Sequence, residues 1–133
     1  MLTPILALVC WTLIVWLWMY VTRIPAMKAA NLSPQAAIHP GSLSVLPANV
    51  RVVADNYNHL HEAPTVFYAL AIYTHLADAG DQVNIWFAWS YVVLRIIHSL
   101  IQIVVRQVPL RFFAFLLSTA CLMVIAVRDL LAL

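Results

Sequence analysis

Charged residues are scarce in this chain: they make up 9% of 133 residues, while 65% are hydrophobic. Soluble domains carry about 25% charged residues, so the composition excludes an ordinary soluble protein and predicts an integral, multi-pass membrane protein. Glycine is also scarce, with two residues, which excludes a collagen-like chain and leaves helices as the way to pair backbone groups in lipid. The net charge of +2 is small and dispersed, so we expect no nucleic-acid partner.

Cysteine and histidine give no sign of a metal or redox site. Cys10 and Cys121 lie in separate apolar segments, so we predict buried free thiols rather than a redox pair. His59 and His61 would point about 200° apart on a helix, whereas a zinc ion needs three or four converging ligands. We therefore predict no metal site.

Four apolar stretches, at about residues 2–21, 48–76, 83–105 and 110–127, are long enough to cross a bilayer. They predict one all-α domain over residues 1–133, a bundle of four transmembrane helices. Pro64 lacks the amide hydrogen that a helix needs, so we expect a kink in the second span. The connection from Thr22 to Pro47, which contains Pro40, should lie at the surface.

Orientation follows from the loops, because the first and third connections hold the basic residues and the second holds only Asp78 and Asp81. The positive-inside rule then places connections one and three in the cytosol and both termini on the other side. The basic connection would meet anionic membrane lipid. The short chain, without a retention signal, favours a bacterial inner membrane.

Two polar stripes interrupt the apolar pattern at helical spacing. An ionisable group inside a membrane costs a few kcal/mol or more unless it is paired or wetted, so the stripes predict one polar cavity open to the cytosol. Its floor would be an ion pair between Glu62 and Arg95. The alternative is that the stripes only hold two helices together, since polar contacts in membranes contribute about 0.6 kcal/mol on average. The stripes are Arg51, Asp55, Asn58 and Glu62 in the second span, and Arg95, His98, Gln102 and Arg106 in the third.

Three motifs carry a family resemblance: Glu62-Ala63-Pro64, Arg95-x-x-His98, and Arg106-x-x-Pro109-x-Arg111. With four short spans they resemble the MAPEG family, membrane-associated proteins in eicosanoid and glutathione metabolism. The third helix is most similar to the microsomal glutathione transferase and prostaglandin E synthase branch. The resemblance implies a homotrimer that binds glutathione, as co-substrate, between neighbouring subunits. The implied activity is a glutathione-dependent transferase or peroxidase acting on lipophilic electrophiles that arrive from the lipid.

The resemblance also implies roles for individual residues. The thiol-activating arginine would be Arg111 or Arg106. Gln102 stands where that branch has a tyrosine, and Glu62 follows Asn58 by four positions rather than three. Two other hypotheses stay open: a non-catalytic protein of the same fold that binds another ligand or a membrane partner, and a small transporter. The expected glutathione-binding residues are Arg51, Asp55, Asn58, Glu62, Arg95, His98 and Gln102.

Overall fold

The computed structural model describes residues 1–39 and 41–133. Pro40, one of the prolines in the predicted surface connection, lies outside the described residues. The described residues form helices and no strand, which confirms the predicted all-α class. The elements are α1 (Leu2–Ala29), a short 3-10 turn (Pro34–Ala37), α2 (Ala48–Glu62), α3 (Pro64–Leu76), α4 (Gln82–Leu100), a π-helical stretch (Ile101–Val105) and α5 (Val108–Leu131).

Three of these helices are long and apolar enough to cross a membrane. They are α1, α4 together with its π-helical extension, and α5. The remaining pass is made by α2 and α3 in succession, of which neither reaches that length alone. The protein is therefore an integral membrane protein built as a bundle of four passes.

The predicted interruption at Pro64 is confirmed, because α2 ends at Glu62 and α3 begins at Pro64. Proline has no amide hydrogen to donate, so the last carbonyls of α2 lose a backbone partner. The Thr65 hydroxyl supplies one, donating to the Glu62 carbonyl oxygen at 2.6 Å. The break separates the polar α2 from the apolar α3, and Ala63 between them keeps helical backbone angles.

Helix α1 continues from the predicted end at residue 21 to Ala29. The predicted end at residue 21 is the point where the apolar run stops. Ala26, Met27 and Lys28 are nevertheless good helix formers, so the helix extends beyond the membrane-spanning length. Its last turns lie beside the α1–α2 connection.

Two apolar clusters form the core. Helix α4 packs mainly on α5, and α1 packs on α2 with further contacts to α3 and α4. The outer surface is apolar too, as the exposed side chains of Leu13, Trp86 and Phe113 show, and suits contact with lipid. The first cluster includes Leu8, Phe67, Ala88, Tyr91, Val92 and Ile125, and the second includes Val15, Met19, Val53, Leu60 and Ile103.

Both cysteines are free thiols. The prediction of burial is confirmed for Cys121, which belongs to the first core cluster. It is wrong for Cys10, which lies on an exposed face of α1. A helix that is apolar all round gives no signal for which face turns inward.

A polar network closes the end of the bundle that carries the α3–α4 loop. Asp129 is 5% exposed and accepts hydrogen bonds from Thr74 Oγ1 at 2.6 Å and Asn84 Nδ2 at 3.0 Å. Arg128 donates to Asn84 Oδ1 and pairs with Asp81. Adjacent helical residues point about 100° apart, so Arg128 and Asp129 have different partners in this network.

Candidate functional site

The turn between α4 and α5 is shaped by a change of helix type. Residues Ile101–Val105 are π-helical, and Arg106 ends the stretch in the left-handed conformation, with φ 59° and ψ 28°. Its amide donates to the Ile101 carbonyl oxygen at 2.6 Å. Such stretches, and left-handed residues other than glycine, often occur at functional sites. Here they let Gln102, Arg106 and Arg111 line one opening.

That opening is a cleft of about 270 Å³ between the start of α2 and the α4–α5 turn. Three arginines and one carboxylate give it a net positive charge at one end of the bundle. We call it the basic cleft. Its lining consists of Ala48, Arg51, Val52, Asp55, Gln102, Arg106, Gln107, Val108 and Arg111.

A second cleft, of about 370 Å³, adjoins the first deeper along α2 and α5. We call it the aromatic cleft, since Phe112, Phe115 and two histidines form much of its wall. The two clefts share Asp55, Gln102, Val108 and Arg111, so they form a continuous groove. The lining of the aromatic cleft consists of Asp55, His59, Glu62, His98, Gln102, Val108, Arg111, Phe112 and Phe115.

A third cavity, of about 510 Å³, lies on the other side of α2, against the end of α1 and the α1–α2 connection. We call it the loop cavity. Arg51 and Asp55 border it as well as the basic cleft, whereas Asn58 lines only the loop cavity. Asn58 thus faces away from the groove that holds the other predicted residues.

One buried hydrogen bond joins α2 to the π-helical stretch. Asn56, fully buried, donates through Nδ2 to Gln102 Oε1 at 3.0 Å. Asn56 is absent from the predicted site because it lies off the polar stripe of Arg51, Asp55, Asn58 and Glu62. A signal was present: Asn56 lies three positions after Val53 and four before Leu60, at the spacing of the buried face.

His59, which was also not predicted as a site residue, lines the aromatic cleft. Its ring stacks on that of His98, with centroids 4.8 Å apart, and both rings lie near Phe115. Its Nδ1 is 3.9 Å from a carboxylate oxygen of Glu62. The two histidines therefore join α2 to α4 at the cleft wall.

The predicted ion pair between Glu62 and Arg95 is wrong. The salt bridge that Glu62 makes within the described residues is to His59, and the Glu62 side chain is 77% exposed. The rise per residue puts Glu62 and Arg95 at similar depth in the bilayer. It does not show how each helix is rotated about its own axis. Glu62 turns outward at the end of α2, whereas Arg95 turns inward on α4.

Arg95 is 0% exposed and lines neither cleft. None of its three guanidinium nitrogens has a hydrogen-bond partner among the residues that the structure describes. Its Cζ lies 5.7 Å from the centroid of the Phe115 ring, so the charge sits behind the aromatic wall. An unpaired buried cation costs several kcal/mol, and the arrangement keeps a positive charge next to the groove.

The groove thus gathers most of the predicted residues and adds His59, while Asn56 lies behind it and bonds to Gln102. It could bind an anionic, polar ligand at its basic end and an apolar one at its aromatic end. The described residues hold no group of three or more His, Cys, Asp or Glu side chains that could bind a metal ion. The predicted residues in the groove are Arg51, Asp55, Glu62, His98, Gln102, Arg106 and Arg111, and those outside it are Asn58 and Arg95.

Comparison with family models matches residues 1–131 to the MAPEG family. The match covers all four membrane passes and both sides of the groove. Neither the comparison with curated proteins nor that with solved structures gives a match.

Proposed function

The chain belongs to the MAPEG family, and from this premise we propose that it is a glutathione-dependent transferase or peroxidase acting on lipophilic electrophiles. The observation that carries the proposal is the groove itself. Its basic cleft, with three arginines and Asp55, opens directly into an aromatic cleft. A polar thiol and an apolar acceptor need two such compartments side by side.

The charges of the basic cleft match those of glutathione, which carries two carboxylates and one ammonium group. Arg51 and Arg106 would bind the carboxylates, because a guanidinium pairs with a carboxylate through two parallel hydrogen bonds. Asp55, which lies between the two clefts, would bind the ammonium. Each ionic group of the ligand then has a partner of opposite sign.

Arg111 would hold the thiol sulfur, since it lines both clefts and so stands where the two ligands meet. A nearby guanidinium favours the thiolate, which is the nucleophile. Arg106 lines the basic cleft alone. Arg95 and His98 would act from the wall, Arg95 as a positive charge behind Phe115 and His98 as a lining residue.

Gln102 would take the place of the tyrosine found in the microsomal glutathione transferase and prostaglandin E synthase branch. Its Oε1 accepts the hydrogen bond from Asn56, which orients the amide and leaves Nε2 as a donor. Gln102 lines both clefts, as a group that stabilises the sulfur must. The proposed place beside that branch rests on Arg95-x-x-His98 and Pro109-x-Arg111, and Gln102 is a departure from it.

Assembly into a homotrimer would complete the site. Arg51, Asp55, Asn58 and Glu62 are exposed on α2, a helix of a membrane bundle, and polar groups at that depth need cover. Neighbouring subunits would supply it and bring Asn58 and Glu62 to a shared glutathione. The basic connections lie at the end of the bundle that carries the groove, so the groove would open to the cytosol. Both termini would lie on the other side of a bacterial inner membrane.

Titration of the purified protein with glutathione in lipid nanodiscs tests the proposal. We expect calorimetric binding, and a loss of about tenfold or more in affinity for Arg51→Gln, since a charged hydrogen bond contributes about 1.5–3 kcal/mol. Lys28→Gln is the matched control, because Lys28 is exposed and lines none of the three cavities. No binding at millimolar glutathione would overturn the proposal in favour of a non-catalytic member of the family that binds another ligand.

A further inference from the structure

The chemistry proposed for the groove leaves the loop cavity without a ligand of its own. At about 510 Å³, the loop cavity is the largest of the three cavities described above and lies within the size range of small-molecule pockets, roughly 300–1,000 Å³. Its described lining combines charged side chains with apolar ones from the α1–α2 connection, among them Ile38 and Leu43. A cavity of this mixed character suits a ligand with a charged part and an apolar part.

The loop cavity lies at the level where α1 leaves the lipid. About 20 residues of helix cross the hydrocarbon layer, and the apolar run that begins at Leu2 reaches this length at Val21. Arg23 follows two positions later and lines the cavity. Trp16 and Tyr20, which are exposed two turns and one turn earlier, have the amphipathic rings that are typical of the headgroup region. The cavity is therefore level with the phospholipid headgroups.

Three charged side chains around the cavity are free to bind a ligand. Arg23, Arg51 and Asp55 border the cavity, and the salt bridges found among the described residues involve none of them. Arg51 and Asp55 are exposed, and Arg23 is half-buried. Guanidinium groups pair well with phosphate oxygens, and a carboxylate accepts hydrogen bonds from a primary ammonium. The set matches a ligand that carries one phosphate and one ammonium group.

The α1–α2 connection also presents apolar side chains beside the cavity. Ile38 is 62% exposed and Val45 is 72% exposed. Burial of apolar surface is favourable, so such side chains in a connection at the membrane surface favour contact with lipid. Ile38 lines the cavity as well, so the charged groups adjoin an apolar approach. This feature favours a ligand held in the bilayer over a soluble one.

We propose that the loop cavity binds the headgroup of a phospholipid in which a phosphodiester is linked to a primary amine, as in phosphatidylethanolamine. Arg23 and Arg51 bind the phosphate, and Asp55 binds the ammonium. An ionised carboxylate has about four acceptor positions, so Asp55 can serve this headgroup and a ligand in the basic cleft. The lipid site does not depend on the proposed function, and it ties the α1–α2 connection to the membrane surface.

Native mass spectrometry of the purified protein in detergent, without glutathione, measures lipid binding. Phosphatidylethanolamine, phosphatidylcholine and phosphatidylglycerol with identical acyl chains are compared. The choline headgroup has no N–H to donate, and the glycerol headgroup has no ammonium. Phosphatidylethanolamine should therefore bind about three- to tenfold more tightly than either of the other two, the net effect of one hydrogen bond.

Arg23→Gln should weaken binding of phosphatidylethanolamine about tenfold or more, because a charged hydrogen bond to the phosphate is lost. Lys28→Gln is the matched control, since it removes the same charge from the same helix, and Lys28 is exposed and lines none of the three cavities. Ser44→Trp keeps every charge and fills the cavity, so it serves if Arg23→Gln fails to fold. Its control is Val45→Trp, at an exposed position outside the described lining.

A preference for phosphatidylethanolamine that is lost in Arg23→Gln or Ser44→Trp and kept in the two controls supports the inference. Equal losses in a variant and its control overturn it, because they indicate a general attraction of lipid to this surface. Binding of phosphatidylethanolamine no tighter than that of the other two lipids also overturns it. Soluble glycerophosphoethanolamine separates the two sources of the headgroup. If it binds as tightly as the lipid, the ligand is a free phosphate compound and the assignment to a membrane lipid is wrong.

Discussion

Replacing Arg111 with leucine should abolish thiolate formation at neutral pH, and replacing Arg106 should not. The sequence leaves the two arginines as equal candidates. The structure separates them, because Arg111 lines both clefts while Arg106 lines the basic cleft alone and donates from Nε to the Ile103 carbonyl oxygen. Substitution by leucine removes the positive charge at either position and leaves a side chain of moderate size there.

The magnitude follows from Coulomb's law. Two unit charges 4 Å apart interact by about 4 kcal/mol at an effective dielectric constant of 20 and by about 1 kcal/mol in water. Arg111 is half-buried, so its interaction with a thiolate lies between these limits. At about 1.4 kcal/mol per pKa unit, the guanidinium lowers the pKa of the bound thiol by roughly one to three units. From an ordinary pKa near about 8.5, a shift of one unit would leave about a quarter of the thiol ionised at pH 7, and a shift of three units almost all of it.

A pH titration of the ultraviolet thiolate band at saturating glutathione measures this effect, with S-methylglutathione as the blank. In Arg111→Leu the pKa should rise, so that the band appears at a pH about one to three units higher than in the unmodified protein. Arg106→Leu should shift the midpoint less and mainly weaken binding. An unchanged midpoint in Arg111→Leu, together with a shifted one in Arg106→Leu, would refute the assignment.

Three further variants test the packing around the groove and at the opposite end. Gln102→Leu should lower the free energy of unfolding by about 1–3 kcal/mol, because Asn56 is left without its acceptor. The double variant Gln102→Leu/Asn56→Leu should recover part of that loss. Both values are measured by denaturant unfolding in detergent. Asp129→Ala should cost about 1–3 kcal/mol by the same assay, because Thr74 and Asn84 lose their buried acceptor. Gln82→Ala, at an exposed position of the same end of the bundle, should stay within about 0.5 kcal/mol, and equal losses would contradict the buried network. Arg106→Gly should raise the midpoint of thermal unfolding, because the left-handed conformation costs a residue with a side chain about 1–2 kcal/mol. A lowered midpoint would contradict this, and would mean that the Arg106 guanidinium stabilises the fold by more than the strain costs.

The α2 face was predictable because helical periodicity is visible in the sequence. Arg51, Asp55 and Glu62 recur at spacings that fall on one side of a helix, and the structure places all three in the groove. Their partners across the groove were harder to predict. A repeat fixes which residues share a face, but not how far the helix is rotated against its neighbours, so Arg95 and Glu62 do not meet.

The π-helical stretch was hidden for a different reason. Its sequence, Ile101-Gln102-Ile103-Val104-Val105, continues the apolar pattern of α4 and contains neither glycine nor proline. Tertiary contacts with α2 and α5 select the wider turn there, and no local propensity signals it. The position of Arg111 relative to Gln102, and so the choice between the two candidate arginines, depends on that turn.

The contrast between the two ends of the bundle argues that the groove is the functional region. At the α3–α4 end the buried carboxylate of Asp129 has two donors, and Arg128 has two acceptors, so the network can serve stability alone. Near the groove, Arg95 and His98 on α4 carry buried polar atoms without partners in the described chain. Unpaired buried polar groups destabilise a fold, and a bundle that needed only to hold together would have apolar residues in those places. Arg95 and His98 lie beside the wall that His59 and Phe115 share, and this position favours ligand binding over stability as the role of these two residues.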